Sequence, residues 1–490
     1  MRANSLSDVA AFAGPLAIFV AALVPGVGFW DTGEMQTVPT ILGIAHPTGF
    51  PAFVLLGWLF AHGVPFESPA WRVSLLSACA AAGAAWLLFR FVRSIVHDTW
   101  IALAAAGAYA AGDIVWTRAA RAEVHDLALF FTVLALVLAA RAAERADPRC
   151  AAGAGAAFGC GLATHPVVAL ALPSIALLAW PSLLRMNARA WVLTVVAALA
   201  PLGLYLYIPL RSAQVERGGL DATAALGLRG GPFWNYDAPS TPARFLRYAF
   251  GATFHPADAF RAAATSGGVH GALAFARTVV ATEYGVVMAA LVITGFVYLA
   301  VTERHVAGAF AALALATGAF VPNFRAESDA LRYALPVLWA AGVCAAVGAC
   351  WVMRSLTRER SPVSSALAVA LLLVALWPSA LYAARDAARQ RRTDDARLFI
   401  ASVIEQTPGD ALVIATWTYA TPLAYAAFVA HTLGRRRLIS GWPSDFNARY
   451  DGWRAQFAHI YFILPPQYQT APLAKRVFAT SRWQLAELER

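Results

Sequence analysis

Trp30 to Pro51 reads W-D-T-G-E-M-Q-T-V-P-T-I-L-G-I-A-H-P-T-G-F-P. Two carboxylates, Asp31 and Glu34, and one imidazole, His46, follow the apolar run Val9 to Phe29 and precede a second apolar segment. A run of that length spans a bilayer at about 1.5 Å per residue. The polar stretch therefore emerges at a membrane surface, and the chain around it reads as an α-helical, polytopic membrane protein.

Composition agrees. Of 490 residues, 59% are hydrophobic and 13% charged, whereas soluble domains carry about 25% charged residues. The net charge of +10 is almost all Arg, Lys475 being the only Lys. Much of that Arg lies in short loops between apolar runs, where it orients helices, so no nucleic-acid partner is expected. Cys79, Cys150, Cys160, Cys344 and Cys350 show neither metal nor disulfide spacing.

Further spans read as Val73 to Val96, Ile101 to Trp116, Val124 to Ala140, Ala151 to Thr164, Val167 to Trp180, Trp191 to Leu210, Tyr284 to Thr302, Val306 to Val321, Ala334 to Val352 and Ala366 to Ala384. With the first, roughly eleven transmembrane helices are expected. Phe50 to Gly63 is too short for a comfortable span and reads as an interfacial helix. Loops assigned inside hold Arg90, Arg93, Arg141, Arg145, Arg185 and Arg354; outer loops mix Arg118, Arg121, Arg325 and Arg332 with Glu123, Glu327 and Asp329. This bias puts the N-terminus inside and Asp31 outside.

The expected division is a transmembrane domain over 1–384 and an extracytoplasmic α/β domain over 385–490. The first contains outer loops 30–70 and 211–283. The second loop is rich in Gly, Pro and aromatics, as in G-G-P-F-W-N-Y-D-A-P-S-T-P, a composition for turns and a binding surface. In the last piece, β-like runs (Ala411 to Trp417, Arg437 to Ser440, His459 to Leu464) alternate with helical ones, the pattern of a small α/β unit. It reads as a lid or docking module.

Asp31 and Glu34 have the D-x-x-E spacing of a helix capping box. They also sit at the mouth of a span, where a carboxylate near low dielectric can serve as a base. The next outer loop places Arg118, Arg121, Glu123 and His125 at helical spacings, either as interfacial anchors or as a phosphate clamp. His165, Arg211 and Arg332 emerge on the same side. Ionisable residues gathered on one face suit an outer active site better than a conduit. Gly155-x-x-x-Gly159 lies in an apolar span and reads as close helix packing. The chain has no P-loop, H-E-x-x-H or G-x-S-x-G pattern.

W-D-T-G-E followed by G-I-A-H-P-T-G-F-P resembles the N-terminal signature of a family of bacterial and animal membrane proteins of the GT-C glycosyltransferase type. Its animal member is a transmembrane protein O-mannosyltransferase acting on plexin-type receptors. Arg121-Ala-Glu123-Val, Gly161-Leu-Ala-Thr-His165, Tyr207-Ile-Pro-Leu-Arg211 and Ser328-Asp-Ala-Leu-Arg-Tyr-Ala-Leu-Pro336 are similar too, in the same order. Phe233-Trp-Asn-Tyr-Asp237 stands where the family has Trp-Gly-Asp-Pro.

The resemblance implies an inverting enzyme that moves a sugar, mannose in the animal member, from a polyprenyl-phosphate donor to a hydroxyl of a protein or glycan acceptor. Asp31 would be the general base and Glu34 its support or an acceptor-orienting group. His46, Arg121, Glu123, His165, Arg211 and Arg332 would bind donor or acceptor. The resemblance implies no definite cofactor and leaves a divalent metal open, since one carboxylate pair does not by itself specify a metal site. A bacterial inner membrane is the expected location, with the active site and C-terminal domain on the periplasmic side. A transporter or flippase for a lipid-linked saccharide would use the same cavity without breaking a bond.

Overall fold

The computed structural model describes residues 5–221, 223–324, 329–358, 360–392, 394–468 and 474–488. Arg325, Glu327 and Ser328 of the expected third outer loop lie outside them. The first half holds α1 (Ser5–Ala22), α2 (Trp30–Ile41), α3 (Pro51–Gly63), α4 (Pro69–Val96), α5 (Thr99–Ala110), α6 (Asp113–Ala119), α7 (Val124–Arg145), α8 (Pro148–Thr164), α9 (Leu172–Leu183) and α10 (Ala188–Leu199). Next come α11 (Tyr207–Gly218), α12 (Pro242–Ala249), α13 (Pro256–Ala263), α14 (Ser266–Val279), α15 (Gly285–Thr302), α16 (Arg304–Phe320), α17 (Leu335–Thr357) and α18 (Pro362–Arg391). The chain ends with α19 (Asp395–Gln406), α20 (Trp417–Phe428) and α21 (Tyr450–Arg454) among five strands.

Among the described residues, eight helices are long and apolar enough to cross a membrane, which makes this a multi-pass membrane protein. Three of the expected spans fall short of that length. The first stops at Ala22, before Pro25 and Gly26, which cannot extend it. Ile101 to Trp116 breaks at Ala111-Gly112 into α5 and α6, because the Glu283 carboxylate inserts there and accepts from the Ile114 N–H at 2.8 Å. A Cβ on Gly112 would lie 2.0 Å from Glu283 Oε1. Ala151 to Thr164 becomes the 17-residue α8, ended by His165, which is held extended before Pro166.

Close backbone approach organises the bundle. A Cβ on Gly159 would lie 2.2 Å from the Ala198 carbonyl, so the G-x-x-x-G pair packs α8 against α10, as its spacing indicates. Gly295 and Gly348 do the same for α15 and α17. Trp339 of α17 is fully buried and donates its indole N–H to Ala84 O of α4 at 3.0 Å.

Strands β1 (Leu412–Ala415), β2 (Arg437–Ser440), β3 (Ile460–Leu464), β4 (Ala474–Ala479) and β5 (Gln484–Leu488) form one sheet in the order β2-β1-β3-β5-β4. The first three strands are mutually parallel and the last two antiparallel. Every residue of β1 and β3 is buried, as parallel strands covered on both faces require. One face packs through Val413, Tyr461, Ile463 and Leu423 into a core shared with Met35, Phe53 and Val73 of the helices below. The other is covered by Phe446, Tyr450, Trp453 and Leu226. Leu226 belongs to loop 211–283 and accepts from the Trp453 indole at 3.1 Å. Loop 211–283, expected to be turns and surface, thus carries α12 to α14 and straps the sheet.

Candidate active site

α2 presents the two acidic residues in its first turns. The capping-box expectation fails: the N-cap is Phe29, with no side-chain cap bond. Glu34 turns inward instead, fully buried, where a better pair of donors awaits it. It accepts from the His46 backbone N–H at 2.7 Å and from Nδ1 of the same residue at 2.5 Å. The turn after His46, closed by Gly49 N–H to His46 O at 2.8 Å, holds the imidazole in place.

Asp31 has other partners. Oδ2 accepts from Arg332 Nη1 and Nη2 at 3.2 and 3.3 Å, and Oδ1 accepts from the Trp417 indole N–H at 2.9 Å. Arg332 is buried and lies 4.0 Å from Glu123, the N-cap residue of α7. Glu123 accepts from His125 Nδ1 at 2.6 Å, and the His125 ring sits 4.5 Å from that of His165. His165 stacks on Phe50 at 5.3 Å, and Phe50 meets His46 edge-on at 4.9 Å. The chain of contacts runs from Asp31 round to His46 and Glu34, beside a cavity of about 230 Å³.

Asp31, His46, Glu123, His125, His165 and Arg332 are its polar lining. Phe250, Phe254, Phe260, Phe320 and Phe324 line it too, Phe254 meeting His46 edge-on at 6.4 Å. Two expected site residues stand elsewhere. Arg211 donates to Leu42 O at 2.6 Å and Ile41 O at 3.2 Å, so its guanidinium caps the end of α2 instead of lining the cavity. Arg121 lies behind Glu123, at 3.8 Å from it and 3.6 Å from Asp329, which Arg118 also grips.

Burial pushes the Asp31 carboxyl upward, but the His46 imidazolium, Arg332 and the Trp417 N–H outweigh it and hold the group below its ordinary range. Burial pushes His46 down, yet the Glu34 carboxylate more than reverses this and raises it to about 9. Burial raises Glu34. At neutral pH the site therefore presents an ionised Asp31 beside the hydrogen-bonded His46–Glu34 pair.

Asp31, Glu34 and His46 offer ligand atoms within 4.8 Å of one another. A cation seated there would replace the proton between His46 and Glu34 and meet the Arg332 guanidinium. The donor set fits a hydrogen-bonded acid–base cluster better than a coordination shell.

Nothing local in the sequence marks Trp417, a tryptophan 386 positions from its partner. His125 is legible, because Glu123 and His125 stand two residues apart in a polar stretch.

Residues 31–185 match the model of the Protein O-mannosyl-transferase TMEM260 N-terminal domain. The chain is 32% identical to Protein O-mannosyl-transferase TMEM260 of Mus musculus over 212 residues, 42% of this chain and 30% of the mouse protein. It is 28% identical to the Dictyostelium discoideum protein of that name over 123 residues, 25% of this chain and 15% of the other. The match thus spans less than a third of either relative. ArnT from Cupriavidus metallidurans bound to undecaprenyl phosphate superimposes with a TM-score of 0.52 at 12% identity, over 99% of this chain and 98% of that one. Residues 31–185 thus match the TMEM260 N-terminal domain, and the chain that contains them shares its fold with ArnT from Cupriavidus metallidurans.

Proposed function

We propose that this protein is an inverting membrane glycosyltransferase, moving a sugar from a polyprenyl-phosphate donor to an acceptor hydroxyl with Asp31 as general base. The observation that carries this reading is the cavity itself. A carboxylate, Asp31, and a buried guanidinium, Arg332, line it together with Phe250, Phe254, Phe260, Phe320 and Phe324. Apolar rings suit the first isoprene units of a lipid tail, and the guanidinium suits the phosphate.

In the step proposed, the acceptor O–H gives its proton to Asp31 as its oxygen bonds to the anomeric carbon. The bond from that carbon to the phosphate oxygen breaks, and its electron pair leaves with polyprenyl phosphate. Arg332 stabilises the departing charge. Of the three arginines considered, it alone lines the cavity. Glu34 acts through His46, whose positive charge keeps Asp31 ionised. The name of the mouse and Dictyostelium relatives supports mannose as the sugar and a protein as the acceptor. The arginine distribution supports an outer-face site, in a bacterial inner membrane, with the sheet as an extracytoplasmic domain.

The test is transfer by purified protein in nanodiscs, supplied with radiolabelled polyprenyl-phosphate mannose and acceptor peptides. Expected are labelled peptide and free polyprenyl phosphate in equal amounts. Asp31→Asn should lower the rate by about 10² to 10⁴ while leaving the protein folded. Movement of intact donor across the bilayer with no new glycosidic bond would establish a lipid transporter instead.

A further inference from the structure

The C-terminal sheet follows the rule of open α/β sheets, in which ligands and functional groups gather outside the carboxyl ends of parallel strands where the chain reverses its winding. Here β1 has β2 on one side and β3 on the other, so the reversal falls at β1. Trp417 stands at its carboxyl end, two residues beyond Ala415, as the first residue of α20. What that crevice meets is α2. Gly33 allows the approach, for a Cβ there would lie 3.0 Å from the Thr421 side chain. The Tyr425 hydroxyl ties the far end of α20 to the Ala70 N–H of α4 at 3.3 Å.

Trp417 is itself held on several sides. Its ring stacks on Phe233 with centroids 5.6 Å apart and planes 4° from parallel. Tyr236 and His46 meet it edge-on at 6.1 and 6.2 Å. Phe233 is further fixed by its carbonyl, which accepts from the Ile44 N–H at 3.1 Å. The indole N–H therefore has little freedom, and its partner is Asp31 Oδ1 at 2.9 Å.

We propose that Trp417 is a positioning residue for transfer: its N–H anchors one oxygen of Asp31 so that the other faces Arg332 and the cavity, which makes the C-terminal sheet part of the catalytic centre. The inference rests on Asp31 being the base. A hydrogen bond to a carboxylate is a strong one, and an aspartate held by one oxygen has its second lone-pair direction set. A base that rotates away from the acceptor hydroxyl loses the near-attack geometry on which the rate depends.

The experiment replaces only the N–H. Benzothienylalanine incorporated at position 417 keeps the bicyclic shape and lacks the donor; Trp417→Phe does the same with a smaller ring, and Trp417→His restores a ring N–H. The transfer assay is run on the full chain in nanodiscs, with Asp31→Asn alongside. Expected is a kcat about ten- to a hundredfold lower for the benzothienylalanine and Phe proteins, with donor KM unchanged and partial recovery in the His variant. Asp31-dependent transfer at the full rate in the benzothienylalanine protein overturns this proposal and leaves the base assignment standing. A rise in KM at unchanged kcat also overturns it, as the mark of a binding wall. Full transfer by Asp31→Asn overturns the base assignment and the proposal together.

Discussion

The bond between His46 and Glu34 has an effect on stability with a definite sign. His46 titrates near 6.5 when unpaired and near 9 here. A raised value in the folded state means that the native protein binds more protons than the unfolded chain across that window. The stabilisation is complete below about pH 6.5 and is lost as pH rises through about 9. Asp31 strengthens the shift and Arg332 opposes it. Thermal unfolding between pH 6 and 10 should show a falling midpoint that flattens in Glu34→Gln. Leaving His46 without its buried partner should cost about 3 kcal/mol at pH 6.5. A Glu34→Gln protein with the parent's pH profile would mean that the pair is not an ion pair.

Among the elements, α17 sets the position of Arg332, which the segment Ala330–Ala334 leading into it carries. The helix is set against α15 by two glycines: a Cβ on Gly295 would lie 1.8 Å from the Cys344 carbonyl, and one on Gly348 would lie 2.2 Å from that of Leu291. Gly295→Val should force the helices apart, with a loss of about 1–3 kcal/mol by overpacking and a displaced Arg332. The check is a lower melting temperature together with a raised donor KM. An unchanged KM would separate the helix contact from the phosphate-binding role.

At the scale of the molecule, the orientation expected from the arginine bias has Arg189, in the first turn of α10, inside and the sheet outside. Single-cysteine variants Arg189→Cys and Gly409→Cys, in a background lacking the five native cysteines, none of which is disulfide-bonded, should give opposite results with a membrane-impermeant maleimide. Labelling of position 409 and protection of position 189 in intact cells is the expected outcome; the reverse would invert the orientation and move the cavity to the cytoplasmic face.

What the sequence determined by itself was whatever local chemistry dictates. Apolar runs of spanning length, the β-like segments around Leu412, Arg437 and Ile460, the G-x-x-x-G packing face of α8 and the acidic stretch after the first helix were all legible, because each depends on residues close together in the chain. The breaks were less so: the end of α5 depends on Glu283, which arrives from 169 residues away. Only the tertiary structure decided the partners. D-x-x-E spacing allowed a capping box, and the fold gave Glu34 to His46 instead, because a buried carboxylate is more stable with a cation and two donors than with a helix end. Arg211 and Arg332 were indistinguishable as sequence; one caps a helix and the other lines the cavity. Trp417 reaches Asp31 only because a parallel strand ends there and a glycine lets two helices close, and no local pattern encodes a hydrogen bond between segments that distant.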